Sequence, residues 1–195
     1  DIRDQMSQHI FVGGNAFMVR MLNRYRSELG VTALPSELEA TGRATMRQLQ
    51  GETATLSVSA LEINGTQLTF NVDVRNLTGH KFPTGYPSRR AWLHVTVRDG
   101  DNIAVFESGR VDDTGAIRGN DNDADPRKFE PHYEQITDAS EVQIYEPIIG
   151  DPSGIPTTGL LSATQYLKDN RLLPRGFEKS SAAPEIGVYG SATSD

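Results

Sequence analysis

A mainly β chain with a helical N-terminus, of α+β class, is predicted by three observations. Apolar positions in the first fifty residues recur at helical spacing. After Gly51 the chain turns to short runs rich in Val, Thr, Leu and Phe. Its 18 glycines and 10 prolines supply many turns. The expected architecture is two helices, then an antiparallel Ig-like β-sandwich with one late short helix, divided at 1–51 and 52–195. A chain of 195 residues is long enough to bury a core of its own.

The first helix is read over 14–25, where Phe17, Met18, Met21, Leu22 and Tyr25 make one stripe and Gly30 fits the stop. Ser36 and Glu39 form a capping-box pattern for a second helix running to Gln50, with Leu38, Met46 and Leu49 inward and Gly51 ending it. Strands follow at 53–61 and 67–75, joined through Asn64-Gly65, a strong hairpin signal. Leu68, Phe70, Val72 and Val74 alternate with polar residues in the second of these. Ala91 to Val97 reads as a strand, Asp99-Gly100 as a turn and Ile103 to Phe106 as its partner. An acidic stretch over 111–130 precedes a short strand at 141–145 and a loop holding Pro147, Pro152 and Pro156. A helix over 158–170 and a strand over 185–189 complete the expectation.

Composition narrows the function. The net charge is −7, and an acidic surface repels phosphate backbones, so nucleic acid is not an expected partner. No apolar run approaches the length of a membrane span, and no signal-peptide pattern is visible at Asp1-Ile2-Arg3. With no cysteine, the chain holds no disulfide, thiolate site or Cys-x-x-Cys-His haem attachment of its own. Neither a nucleophile elbow nor a Gly-x-Gly-x-x-Gly turn is present, and Glu130, His132 and Glu134, though close in sequence, do not by spacing alone define an acid–base pair.

The stretch with most chemical character is NLTGHKFPTGYPSRRAW, residues 76–92. Gly79 and Gly85 allow unusual backbone angles, while Pro83 and Pro87 remove freedom. Such a loop presents His80 stiffly, which suits a metal ligand; a tight turn with an exposed histidine is the plainer alternative. His94 falls on the polar face of its strand, with Trp92, Thr96 and Arg98, and is read as structural.

This stretch, extended to LHVTVRD and followed by VFESG at 105–109, resembles the C-terminal region of multihaem c-type cytochromes. QHIFVGGNAFM from Gln8, EPHYEQI from Glu130 and GLLSATQYLKDNRLLPRGF from Gly159 resemble the same family in the same order. The resemblance implies an electron-transfer component whose haem c groups are attached to other polypeptide, with distal histidines completing six-coordinate iron. It makes His9, His80 and His132 the candidate axial ligands, the 1–51 segment a surface for the haem-bearing chain, and redox proteins the further partners. It also implies a periplasmic or cell-surface location, because c-type haem is attached outside the cytoplasm. Any oxidoreductase centre would lie outside this chain, so an electron carrier is expected rather than an enzyme.

Three groups complete the candidate list. Asp121, Asp123 and Asp125 begin like a calcium loop, but Pro126 stands where an EF-hand needs Gly and His132 where it needs Glu, so only a looser calcium site is considered. Arg89 and Arg90, with Arg171, suit carboxylates, whether protein side chains or haem propionates. The alternative reading of the whole is an extracellular Ig-like adhesion module, calcium-stabilised through the acidic loop.

Overall fold

The computed structural model describes residues 12–194, which fall into two compact units, one ending at Leu77 and the other beginning at Thr78. His9 lies outside the described residues.

The first unit contains α1 (Ala16–Arg24), α2 (Pro35–Gly51), β1 (Ala54–Asn64) and β2 (Gln67–Asn76). Asn15 caps α1 by accepting from the Met18 amide at 2.9 Å. Helix α2 starts slightly earlier than the Ser36–Glu39 pattern indicates. Pro35 takes its first position, where a missing N–H does no harm, and Glu37 Oε2 accepts from the Leu34 amide at 2.8 Å. Gly42 and Thr45 are the buried residues of α2, and a Cβ on Gly42 would stand 3.9 Å from Val19. A seam of such small residues covers little of either helix. Phe17, Met18 and Tyr25 of the first apolar stripe, and Leu49, expected inward, are therefore exposed.

Strands β1 and β2 form an antiparallel hairpin with Asn64 opposite Gln67, so Gly65, at φ +63°, is the first of two turn residues. The pairing is interrupted once. Ser59 faces Asn71 and Glu62 faces Thr69, leaving two residues of β1 against one of β2, with Ala60 at φ +49°. That extra residue resets the alternation. Leu56 and Val58 before it, and Leu61 and Ile63 after it, end on the same face as Leu68, Phe70, Val72 and Val74.

In the second unit, β3 (Ala91–Trp92) pairs with β6 (Ile144–Tyr145), and β4 (Val95–Arg98) with β5 (Ala104–Ser108). β7 (Pro147–Gly150) lies between β8 (Pro156–Thr157) and β9 (Gln165–Asp169). A single turn of helix, α3 (Asp121–Ala124), interrupts the acidic stretch. All strand pairs are antiparallel, and the described residues form four sheets of two or three strands with no closed barrel. The mixed helix-and-strand class is as predicted.

Several elements differ from expectation. The late helix is absent; 158–164 is irregular and β9 takes the rest. Leu160 and Leu161 are exposed, so the apolar stripe that suggested a helix finds nothing to cover it. The polar residues that follow gain buried partners by extending along β7. The predicted proline loop contributes strands, with Pro147 opening β7 and Pro156 opening the edge strand β8, positions where a proline removes no needed ladder bond. The run 91–97 is split because β3 and β4 pair with different partners. Residues 185–189 make a 3-10 turn at Pro184–Ile186, and only Tyr189 bridges to Asp169.

Ile117, Val142 and Ile144 form the apolar core of this unit. Around it the AW and ESG segments interlock. Trp92 Nε1 donates to Gly109 O at 3.0 Å, and Ser108 Oγ donates to Glu141 O at 2.6 Å. Gly109 adopts φ +77°, and a Cβ there would lie 2.2 Å from Leu93 O. Gly109→Ala is therefore expected to lose about 2–4 kcal/mol of stability, from strain and collision together. Gly115→Ala, at φ +89° with nothing nearby, is expected to lose only about 1–2 kcal/mol. Urea unfolding of the two variants measures the difference.

Candidate functional site

The His80 loop is held by the segment that follows β9. Phe82 and Leu172 exchange backbone hydrogen bonds at 2.9 and 2.8 Å. Lys81, buried, donates to Asp169 Oδ2 at 2.8 Å and to Gly187 O at 2.5 Å. Arg171 grips the same carboxylate through Nε and Nη2, both at 2.8 Å. Its guanidinium also lies against the loop: a Cβ on Gly85 would be 3.0 Å from Arg171 Nη1. The peptide between Phe82 and Pro83 is cis. One carboxylate, 1% exposed, thus ties together Lys81 before that proline and Arg171 after β9, while the backbone of the same residue bridges to Tyr189.

His80 is exposed and immediately precedes the buried anchor Lys81. Thr78 Oγ1 donates to His80 O at 2.8 Å, and the ring Nδ1 lies 2.8 Å from Lys81 O. A carbonyl oxygen can only accept, so Nδ1 carries the proton and the ring lone pair is on Nε2. This is the tautomer in which a neutral imidazole coordinates metal through Nε2, with its other nitrogen held by a backbone carbonyl.

His132 is placed differently. Gln143 Nε2 and Asn170 Nδ2 approach its Nδ1 at 2.7 and 3.2 Å. Both amides are oriented independently. Gln143 Oε1 accepts from the Tyr133 amide, while Asn170 Oδ1 accepts from the Glu146 amide and its Nδ2 donates to Ile144 O. Their NH₂ groups therefore both point at His132 Nδ1, which must be the acceptor, and the proton resides on Nε2. His80 and His132 hold opposite tautomers. Glu130, two residues earlier in the sequence, directs its carboxylate elsewhere, taking the Tyr133 hydroxyl at 2.6 Å and the Asp121 amide at 3.0 Å. Burial, and then that bond to Glu130, hold the Tyr133 phenol protonated well above its ordinary range.

Two candidate groups meet each other. Arg90 makes a two-pronged pair with Asp123 at 2.8 and 3.0 Å, and Asp123 Oδ2 also accepts from the Ile117 amide at 2.7 Å. Partial burial would raise the Asp123 pKa, but Arg90 and the amide outweigh it and keep the carboxyl ionised below its usual range. Asp125 holds Arg127, with both carboxylate oxygens at 3.1 Å from guanidinium nitrogens. Asp121 is exposed at the start of α3. Among the described residues, no group of three His, Asp or Glu side chains converges as metal ligands would. Arg89 is turned to Thr84 Oγ1 at 2.5 Å, inside the loop. His94 lies between β3 and β4 and pairs on the surface with Glu107 at 3.0 Å.

Lys168, Asp169 and Asn170 were not singled out by sequence reasoning, and neither was Lys81. Lys168 is fully buried, with Nζ donating to Ile144 O at 2.9 Å and to Glu146 Oε1 at 3.0 Å. Desolvation pulls its pKa down, and Glu146 only partly offsets this. The signal was present as a run of four polar residues, KDNR, between Tyr166-Leu167 and Leu172-Leu173.

Two consequences are measurable. Lys168→Met leaves the buried Glu146 carboxylate without its donor and counter-charge, and is expected to lower unfolding free energy by about 3–5 kcal/mol. For Asp169, burial raises the pKa, but the hydrogen bonds from Arg171 and Lys81 prevail and hold the folded value below the ordinary carboxylate range. Its contribution is complete above the unfolded pKa of about 4 and is lost as pH falls through the folded value. Asp169→Asn is expected to be less stable at pH 7 and to show a flatter decline in urea midpoint from pH 5 to pH 2. A decline as steep as that of the native chain would remove Asp169 from the acid response. No family model, curated protein or solved structure matches this chain, so its functional reading rests on the site itself.

Proposed function

We propose that this chain is the cysteine-free, β-rich part of a multihaem c-type cytochrome and lends His80 as a distal ligand to a haem attached to other polypeptide. The observation that carries the reading is the His80 ring. It is exposed, its Nδ1–H is directed to Lys81 O, and its backbone is fixed by a loop with buried anchors. Little entropy remains to be lost when such a ring coordinates, and the carbonyl partner raises the basicity of Nε2. The residues present therefore fit a haem iron approached at Nε2 of His80. Bound there, haem would supply one-electron chemistry at a potential set in part by that ligand. The chain's own part is to orient the imidazole, keep its tautomer and shield the surroundings. The Ig-like arrangement of the β-rich part, the location outside the cytoplasm and the redox partners belong to the same proposal.

His132 fits the role less well, because its Nδ1 is committed to two amide donors and coordination through Nε2 would require both to turn away. In the haem-carrying parent protein, His80→Ala is expected to convert one haem from low-spin to high-spin in the visible spectrum. His132→Ala is expected to keep every haem low-spin while lowering the melting temperature. A fully low-spin His80→Ala protein would remove His80 as a ligand. A colourless parent, whose intact mass leaves no room for haem, would overturn the cytochrome reading and favour the adhesion module.

A further inference from the structure

The helical hairpin of the first unit carries a charge opposite to that of the whole chain. Between residues 12 and 51 there are five arginines, no lysine and three glutamates, in a chain of net charge −7. Four of those arginines, Arg20, Arg24, Arg26 and Arg43, line one groove of about 560 Å³ between α1 and α2, within the range of small-molecule sites. Asn23 and Ser27 add polar groups to its wall. Glu39 is the one acidic residue of the lining.

The four guanidinium groups are not equally committed. Arg26 closes the interhelical loop by donating to Ala33 O through Nε at 3.0 Å and Nη2 at 2.5 Å. Arg43 pairs with Glu39 at 3.3 Å, with both side chains mostly exposed, so water competes well for each. Arg20 and Arg24 have no carboxylate partner among the described residues, and α1 contains no acidic residue to provide one. They stand one turn apart on the same helix, where like charges repel, and Ser27 continues their stripe. Arg24 instead lies over the Tyr25 ring at 5.6 Å, a contact that orients the fork without neutralising it. Arginine used throughout, with no lysine, suits planar two-pronged recognition of oxyanions.

The geometry points to this groove as a binding site for a compact multivalent oxyanion, with Arg20 and Arg24 as the primary contacts and Arg43 released from Glu39 to join them. The shared chemistry is two or more anionic oxygens close together, carried on phosphate or on carboxylate groups. The site is separate from His80, and its test needs no haem.

Calorimetric titration of the full chain at 150 mM NaCl with pyrophosphate, and separately with citrate, tests the inference. Saturable one-to-one binding of at least one anion is expected. Arg20→Gln and Arg24→Gln should each weaken it about tenfold or more, the loss typical of one charge-assisted contact. Arg24→Lys should recover part of the loss, and Arg47→Gln, outside the lining, should leave affinity unchanged. Binding of pyrophosphate alone assigns the phosphate class, and of citrate alone the carboxylate class. Circular dichroism with native helix content shows that the exposed substitutions leave the hairpin folded. Absence of saturable binding by both anions, or affinity unchanged in folded Arg20→Gln and Arg24→Gln, would overturn the site.

Discussion

Everything near His80 depends on the charges buried at the end of β9. Lys168, Asp169, Asn170 and Arg171 follow one another in the chain, and each is partnered: Lys168 by the Glu146 carboxylate, Asp169 by Lys81, Asn170 by the Glu146 amide and Arg171 by Asp169. A buried charge is tolerated only when partners replace water, and here they do so with good geometry. Such an arrangement adds little net free energy compared with an apolar core of the same volume. What it provides is position. Apolar side chains could slide along β7 without much loss, whereas a carboxylate held by two cations and an amide fixed at both ends permit one register.

That positional demand extends to the two histidines. Each ring is set by a neighbour whose role is already fixed. For His80 the neighbour is a backbone carbonyl, which can only accept. For His132 it is a pair of amides whose other ends are taken by backbone groups. The same residue type therefore carries its lone pair on Nε2 in one place and its N–H there in the other.

Much of the organisation was legible in the sequence. The helical start, the change of character after Gly51 and the Asn64-Gly65 hairpin all depend on local spacing, and local spacing is what a sequence displays. The loop around His80 was legible for the same reason, through its glycines and prolines. What was hidden depends on partners far along the chain. The 158–170 segment has helix-compatible apolar spacing, but its buried Lys168 and Asp169 are satisfied by Ile144, Glu146 and Lys81 elsewhere in the chain, and no local pattern reveals that. The pairing of Arg90 with Asp123 joins residues 33 apart that had been assigned to unrelated roles. The run KDNR between apolar residues was the one visible sign that charge would be buried there.

The extra residue at Ala60 carries a consequence for how this hairpin can change over generations. Strand β1 is two half-strands whose apolar positions are out of step in the sequence and brought into step by one insertion. Loss of a single codon anywhere between Ser59 and Glu62 would turn Leu56 and Val58 toward the side of Asp73 and Arg75, although every remaining residue would be unchanged. Substitutions within β1 are absorbed one side chain at a time. A change of length is read by half the strand at once, so the hairpin depends more strictly on the length of β1 than on any one of its side chains.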